Sequence, residues 1–227
     1  MTTSERHLRF AVLATDVAIF TVKDNRLMVR LIKVNRPPHF KNMSGLPGGL
    51  IAQKETAEEA ARRLIRDKAH LDDKKIHLEQ LYTFSQVDRD PRGRVVAVAY
   101  LALVPWEKLS TKEQGDTDET WWSEITQARN LAYDHDEILL TSISRLKSRV
   151  TYTTLMGKIM PKEFTLTELE QAYENTLNID LDKRNFRKKI LKLKIVTELP
   201  NKRRGGKFRP AQLYKFSAEK VSEINII

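Results

Sequence analysis

Apolar positions follow two different rhythms along this chain of 227 residues. From Arg9 to Val22 and from Leu27 to Val34 they run or alternate with β-branched side chains, which predicts two strands, and Lys23-Asp24-Asn25 between them reads as a hairpin turn. Arg36-Pro37-Pro38-His39 ends the second strand, because proline has no N–H to donate to a ladder, and begins an irregular approach to Gly45. After Glu55 the rhythm changes. Ala57, Ala60, Ala61, Leu64 and Ile65 recur at helical spacing behind a capping box made by Thr56 and Glu59, so a helix starts here and buries that stripe. Its other face carries Glu58, Glu59, Arg62, Arg63, Arg66, Asp67 and Lys68. Strand patterns return at Ile76 to Ser85 and Arg94 to Val104, joined by the turn Asp88 to Gly93. Asp134 with Glu137 three residues on predicts the cap of a helix that ends near Val150, with Ile138, Leu139, Ile143 and Leu146 on one face and His135 in the first turn.

Beyond Val150 the pattern restarts. Thr153 to Met160 reads as a short helix stopped by Pro161, and Thr165 with Glu168 caps another carrying Leu166, Leu169, Ala172 and Tyr173. Asp182 caps a third, through about Leu193, on which Phe186, Ile190 and Leu193 point one way while Arg184, Lys188 and Lys192 lie on the opposite side with Arg187 beside them. Ile195 to Leu199 and Gln212 to Phe216 read as a hairpin around a basic, glycine-containing tip. Length favours one domain of about 150 residues plus a smaller one, so we divide the chain into residues 1–150 and 151–227. Trp106, Trp121 and Trp122 read as core or interface anchors.

Charge sharpens this division. The formal net charge is +10, and residues 151–227 hold 16 Lys and Arg against 9 Asp and Glu. Between Lys183 and Arg209 there are 12 basic residues and one acid, Glu198. Helix, turn, basic helix, strand, basic loop, strand is the order of a winged helix-turn-helix, whose third helix enters the major groove and whose wing touches backbone or minor groove. The expected DNA contacts are therefore Lys183, Arg184, Asn185, Arg187 and Lys188 on the helix, and Lys202, Arg203, Arg204 and Lys207 on the wing. Cysteine is absent, which rules out disulfides and thiolate-bound metal. No signal peptide and no run of roughly 18 apolar residues stands out, so a cytoplasmic protein with no membrane partner is expected.

The candidate chemistry lies in Gly45 to Leu71, a glycine-rich turn leading into the capped helix. Gly48 and Gly49, lacking a Cβ, let backbone come close to a ligand. The segment resembles the Nudix box, with Gly49, Glu55 and Arg63 at matching positions. Leu64 stands where that family places a glutamate after the arginine, Asp67 and Lys68 where it places a glutamate pair, and His70 where it places a glycine. Leu64 offers no oxygen to a hard cation such as Mg²⁺, and Lys68 brings a positive charge where a cation would sit.

The whole chain resembles the NrtR family, Nudix-related transcriptional regulators of NAD metabolism in bacteria. Asp88 to Gly93 (DRDPRG), Val95 to Val104 and Tyr133 to Leu139 (YDHDEIL) share in the resemblance. It implies an α+β protein, with an N-terminal Nudix-like α/β/α sandwich and a C-terminal winged helix-turn-helix. It also implies a homodimer on a palindromic double-stranded operator in the bacterial nucleoid, released when ADP-ribose or a related NAD metabolite occupies the former Nudix pocket. On this reading Gly48, Gly49, Glu55, Arg63 and Asp67 shape the effector pocket, and Arg36, Arg89, Arg92 and His135 contact the ligand. The arginine and first glutamate of the box commonly act as scaffolding, which leaves pairing of Glu55 with Arg63 as an alternative role. No residue is assigned as catalytic or metal-binding and no cofactor is required. Two other readings remain: a hydrolase of ADP-ribose-like substrates using displaced carboxylates such as Glu58, Glu59 and Asp67, and a sugar-responsive regulator of the same architecture.

Overall fold

The computed structural model describes residues 11–203, 210–224 and 226. The first two strands are β1 (Val12–Lys23) and β2 (Arg26–Arg36), joined by Asp24 and Asn25, both at positive φ (49° and 62°), as a two-residue turn matching strand twist requires. β1 is also the parallel neighbour of β6 (Val95–Leu103), which pairs with β5 (His77–Phe84). Because β1 is central and covered on both faces, its apolar residues run continuously instead of alternating.

Three strands lie where the rhythm predicts none. β3 (Phe40–Gly45) pairs with β2, β4 (Gly48–Leu50) pairs with β1, and β7 (Thr120–Glu124) pairs with β2. The approach to Gly45 is thus a strand, because β2 supplies the ladder that these polar residues do not announce. Together the seven strands form one sheet.

Helices cover both faces. α1 (Ala57–Asp67) buries Ala60, Ala61, Leu64 and Ile65, and its side of the sheet contributes Val17, Ile19 and Tyr100. On the other face, α3 (His135–Tyr152) buries Ile138, Leu139 and Leu146 with Ala18, Phe20 and Leu101. The short α2 (Thr111–Gln114) lies on the α1 side, where Glu113 accepts from the Asp72 N–H. Asp134 does stand at the N-cap of α3, but its side chain makes no capping bond; the carboxylate is taken by Arg89 instead.

The C-terminal part begins with a 3₁₀ turn, Thr154–Lys158, in place of a short α-helix. α4 (Leu166–Leu177), α5 (Lys183–Lys192), β8 (Val196–Arg203) and β9 (Ala211–Phe216) follow as helix, helix and hairpin. Its core, with Leu169, Tyr173, Phe186 and Ile190, is continuous with the cluster beneath α3. The β1–β2 turn also touches α4 directly: Asn25 Nδ2 donates to Gln171 Oε1 at 2.9 Å, and Asn175 Nδ2 donates to the Asn25 carbonyl at 2.5 Å. Among the described residues no helix is long and apolar enough to cross a membrane.

Candidate functional site

At the edge where β4 meets β1, an open cleft of about 750 Å³ lies between the box helix, the end of β2 and the start of α3. Its floor is a buried charge network. Asp16, the only acid in β1, is paired in register with Gly48, and a Cβ on Gly48 would stand 1.9 Å from Asp16 Oδ1. That approach is open only to glycine. Arg89 spans from Asp134, with contacts of 2.7 and 2.6 Å, to Asp16 Oδ2 at 3.1 Å. His135 Nδ1 accepts the Leu46 N–H at 2.9 Å, so the ring proton belongs on Nε2, which lies 3.4 Å from Asp16 Oδ1. Asp16, Arg89 and His135 are all buried. Burial pushes the Asp16 pKa up, but its interactions with His135 and with Arg89 more than offset it and the net direction is down.

The acids of the box are mostly occupied within the protein. Glu55 accepts two bonds from Arg63, at 2.6 and 3.0 Å, and one from the Ala52 N–H at 2.6 Å; the Arg63 bonds first, then the Ala52 bond, hold its pKa down to about 2. Glu59 completes the capping box with Thr56, and Glu58 pairs with Arg62 at 2.9 Å. Of the acids within α1, only Asp67 lines the cleft. At the C-cap stands Lys68, whose Nζ donates to the Gly48 carbonyl. Burial lowers the Lys68 pKa first and Arg36 next; Asp16 opposes, and Arg63 and Arg92 add to the lowering.

Of the residues the sequence singles out for the effector, Arg36, Gly48, Gly49, Asp67, Arg89, Arg92 and His135 line this one cleft. Glu55 and Arg63 do not; they brace the loop that leads into α1. Arg89 and His135 are part of the floor, with their polar atoms largely committed to Asp16, Asp134 and Leu46. Arg92 pairs with the buried Asp90 at 2.6 Å and lies over the Tyr133 ring, 5.4 Å from its centroid. Arg36 is exposed and makes no ion pair among the described residues. Among the polar lining residues that escape the sequence reading of the site are Asp16, Lys33, Lys68, Asp90, Asp118, Glu119 and Tyr133. Asp16 does leave a signal, a lone carboxylate in a strand otherwise without charge until Lys23. Tyr133 sits at positive φ (58°) with its ring 4.1 Å from that of Phe40, an arrangement that depends on β3 and so has no local signal.

The second candidate surface is α5. Asp182 caps it by accepting the Asn185 N–H at 2.7 Å. Phe186 and Ile190 are buried against α4, while Lys183, Arg184, Asn185 and Lys188 are exposed together with Lys189 and Lys192. Arg187 is drawn back into the domain: its Nη2 donates to Thr167 Oγ1 at 2.6 Å, and its Nε lies 3.7 Å from the buried Glu170. On the hairpin, Lys202 is exposed, whereas Arg203 pairs with Glu168 and donates to the Glu163 carbonyl at 3.2 Å. Arg204 and Lys207 lie outside the described residues.

Comparison with known proteins finds two matching regions in the chain. Residues 12–142 match the model of the NUDIX domain, and residues 156–216 match that of the NrtR DNA-binding winged helix domain. The chain is 34% identical over 211 residues to the ADPR responsive transcriptional repressor NtrR of Acinetobacter baylyi, covering 91% of this chain and 82% of that protein. Its fold superposes on Shewanella oneidensis NrtR complexed with a 27mer DNA at a TM-score of 0.79 and 28% identity, covering 90% and 93% of the two chains. The NUDIX domain of Shewanella oneidensis NrtR complexed with ADP ribose superposes at a TM-score of 0.50 and 26% identity, covering 64% of this chain and 99% of that one.

Proposed function

The chain belongs to the NrtR family, and from that premise we propose that it is a transcriptional repressor whose Nudix domain senses ADP-ribose or a related nucleotide diphosphate. Residues 1–150 bind the effector and residues 151–227 bind DNA. The observation that carries the reading is that the two candidate surfaces occur in one packed body: a cleft lined by Arg36, Lys68 and Arg92, and a helix presenting Lys183, Arg184 and Lys188 to solvent, joined through a continuous core. Cations in a cleft suit a diphosphate, and a solvent-facing basic helix suits the DNA backbone and bases.

Binding without turnover is the task this cleft supports. Glu55, Glu58 and Glu59 are each engaged by a neighbour within the protein, and Leu64 at a box position carries no oxygen. A homodimer would place two α5 helices on half-sites about one helical turn apart. Effector binding would release DNA if it favours a dimer geometry in which those helices no longer match, since coupling requires that ligand and DNA prefer different arrangements. The Asn25 contacts to α4 form one route between the parts.

The test is a mobility-shift titration with DNA from upstream of NAD-metabolism genes and of the protein's own gene. Release of DNA as ADP-ribose is added is the expected result. Binding that stays constant across a wide range of ADP-ribose sinks the effector assignment. Release of AMP from ADP-ribose with Mg²⁺, at the rate of an enzyme, sinks the sensor without turnover and favours the hydrolase.

A further inference from the structure

The Nudix-box spacing implies carboxylates gathered around divalent cations, and this cleft does not fit such an ion. Among the described residues no group of three or more His, Cys, Asp or Glu side chains stands together in a way that could hold one. Of the acids at or near the box positions, Glu55 is engaged by Arg63 and Glu59 by Thr56, which leaves Asp67 as the one acid of α1 lining the cleft. The carbonyl of Gly48, a residue that lines the cleft, accepts from the Lys68 ammonium.

We propose that Lys68 takes the place of the metal, supplying from within the chain the positive charge that holds the diphosphate of the effector, so that effector binding needs no divalent cation. The geometry favours this residue over its neighbours. Lys68 leaves the last turn of α1, crosses in front of Gly49, where a Cβ would lie 3.5 Å from its Nζ, and ends at Gly48. Arg63, one α-helical turn and a half earlier, is spent on Glu55, and Arg92 on Asp90. Lys68 has no ion pair with a carboxylate among the described residues, and it shares the cleft with Lys33 and Arg36 as well as with the acids Asp67, Asp118 and Glu119. Like charges held together in a half-enclosed site repel, and an anion between them relieves that repulsion. A lysine ammonium is a compact point charge on a flexible stem, able to turn from a carbonyl to a phosphate oxygen.

This rests on the effector reading above, and calorimetry separates the two. ADP-ribose is titrated into the full-length protein in excess EDTA and again in saturating MgCl₂, and then into Lys68→Met. The wild type is expected to bind with the same Kd, within about twofold, in both buffers, and Lys68→Met to bind at least about tenfold more weakly in both. Wild-type binding that tightens about tenfold or more with Mg²⁺, or a folded Lys68→Met with unchanged affinity, overturns the proposal while leaving the effector intact. No ADP-ribose binding by the wild type in either buffer overturns the effector reading, and this proposal with it. The wild-type comparison holds even if the variant does not fold, which its ligand-free melting curve would reveal.

Discussion

Arg89 Nη2 lies 3.1 Å from Asp16 Oδ2, joining residues 73 positions apart in the floor of the cleft, where both side chains are under 10% exposed. The same guanidinium holds Asp134 at the start of α3, so one side chain ties the central strand, the β5–β6 turn and a covering helix together.

Removing that guanidinium leaves two carboxylates without their main counter-charge. Arg89→Met is therefore expected to cost about 3–5 kcal/mol of folding stability, the usual penalty for orphaning one partner of a buried pair. Arg92→Met, at a side chain that is half exposed, should cost about 1 kcal/mol or less. Urea unfolding of the two variants checks this, and equal losses would mean that the Arg89 network has no special structural weight.

Glu113 makes stability depend on pH. It is buried, and burial alone would raise its pKa, but bonds from Lys75, Ser110 and the Asp72 N–H outweigh that and hold it down to about 2, from 4.5. A depressed folded-state pKa contributes stability above the unfolded value, and that contribution is lost as pH falls toward the folded one. Glu113→Gln should thus lose roughly 3 kcal/mol at pH 7. Its unfolding free energy should converge with that of the wild type between pH 4.5 and about 2. Parallel pH profiles for the two proteins would contradict this.

Gly48→Ala tests the turn itself. A methyl there meets Asp16 Oδ1 at 1.9 Å and the Thr15 carbonyl oxygen at 3.2 Å, so the Asp16 carboxylate must leave its place in the buried network or the strand pair must give way. The expected cost is about 1–3 kcal/mol, with loss of ADP-ribose binding by calorimetry. Retained affinity at full stability would show that neither the Asp16 position nor the β1–β4 spacing matters to the cleft.

On α5 the exposed and tethered cations should behave differently. Lys183→Ala, Arg184→Ala and Lys188→Ala should each weaken DNA binding and, where a phosphate contact is lost, reduce the slope of log K against log salt by about 0.9. Arg187→Ala should instead lower stability by about 1–3 kcal/mol with little change in that slope, because it strips the buried Glu170 of its counter-charge. Fluorescence anisotropy at several salt concentrations, alongside thermal melts, distinguishes the two classes.

The long helices and the β1–β2 hairpin are legible in the sequence because their signals are local. Thr56 caps through Glu59, Asp182 through the Asn185 backbone, and Ala60, Ala61, Leu64 and Ile65 return every turn to one face. β3, β4 and β7 are not legible, because Phe40–Gly45, Gly48–Leu50 and Thr120–Glu124 owe their extended form to ladders supplied by β2 and β1. The candidate site divides the same way. Gly48 and Gly49 announce a close approach, but nothing near Asp16 in sequence says that it underlies them. Asp134 looks like a cap from its neighbours and serves Arg89 in space.

By itself, then, the sequence determines which segments coil or extend, where the box spacing lies and where the basic charge collects, since periodicity and charge density are properties of neighbouring residues. Only the tertiary structure decides which charges remain available. Arg63, Arg89 and Arg187 are tied to Glu55, Asp16 with Asp134, and Glu170, while Arg36, Arg184 and Lys188 stay exposed. The reason is distance: whether a guanidinium meets a carboxylate at 3 Å or faces water depends on strands and helices that packing brings together from far along the chain.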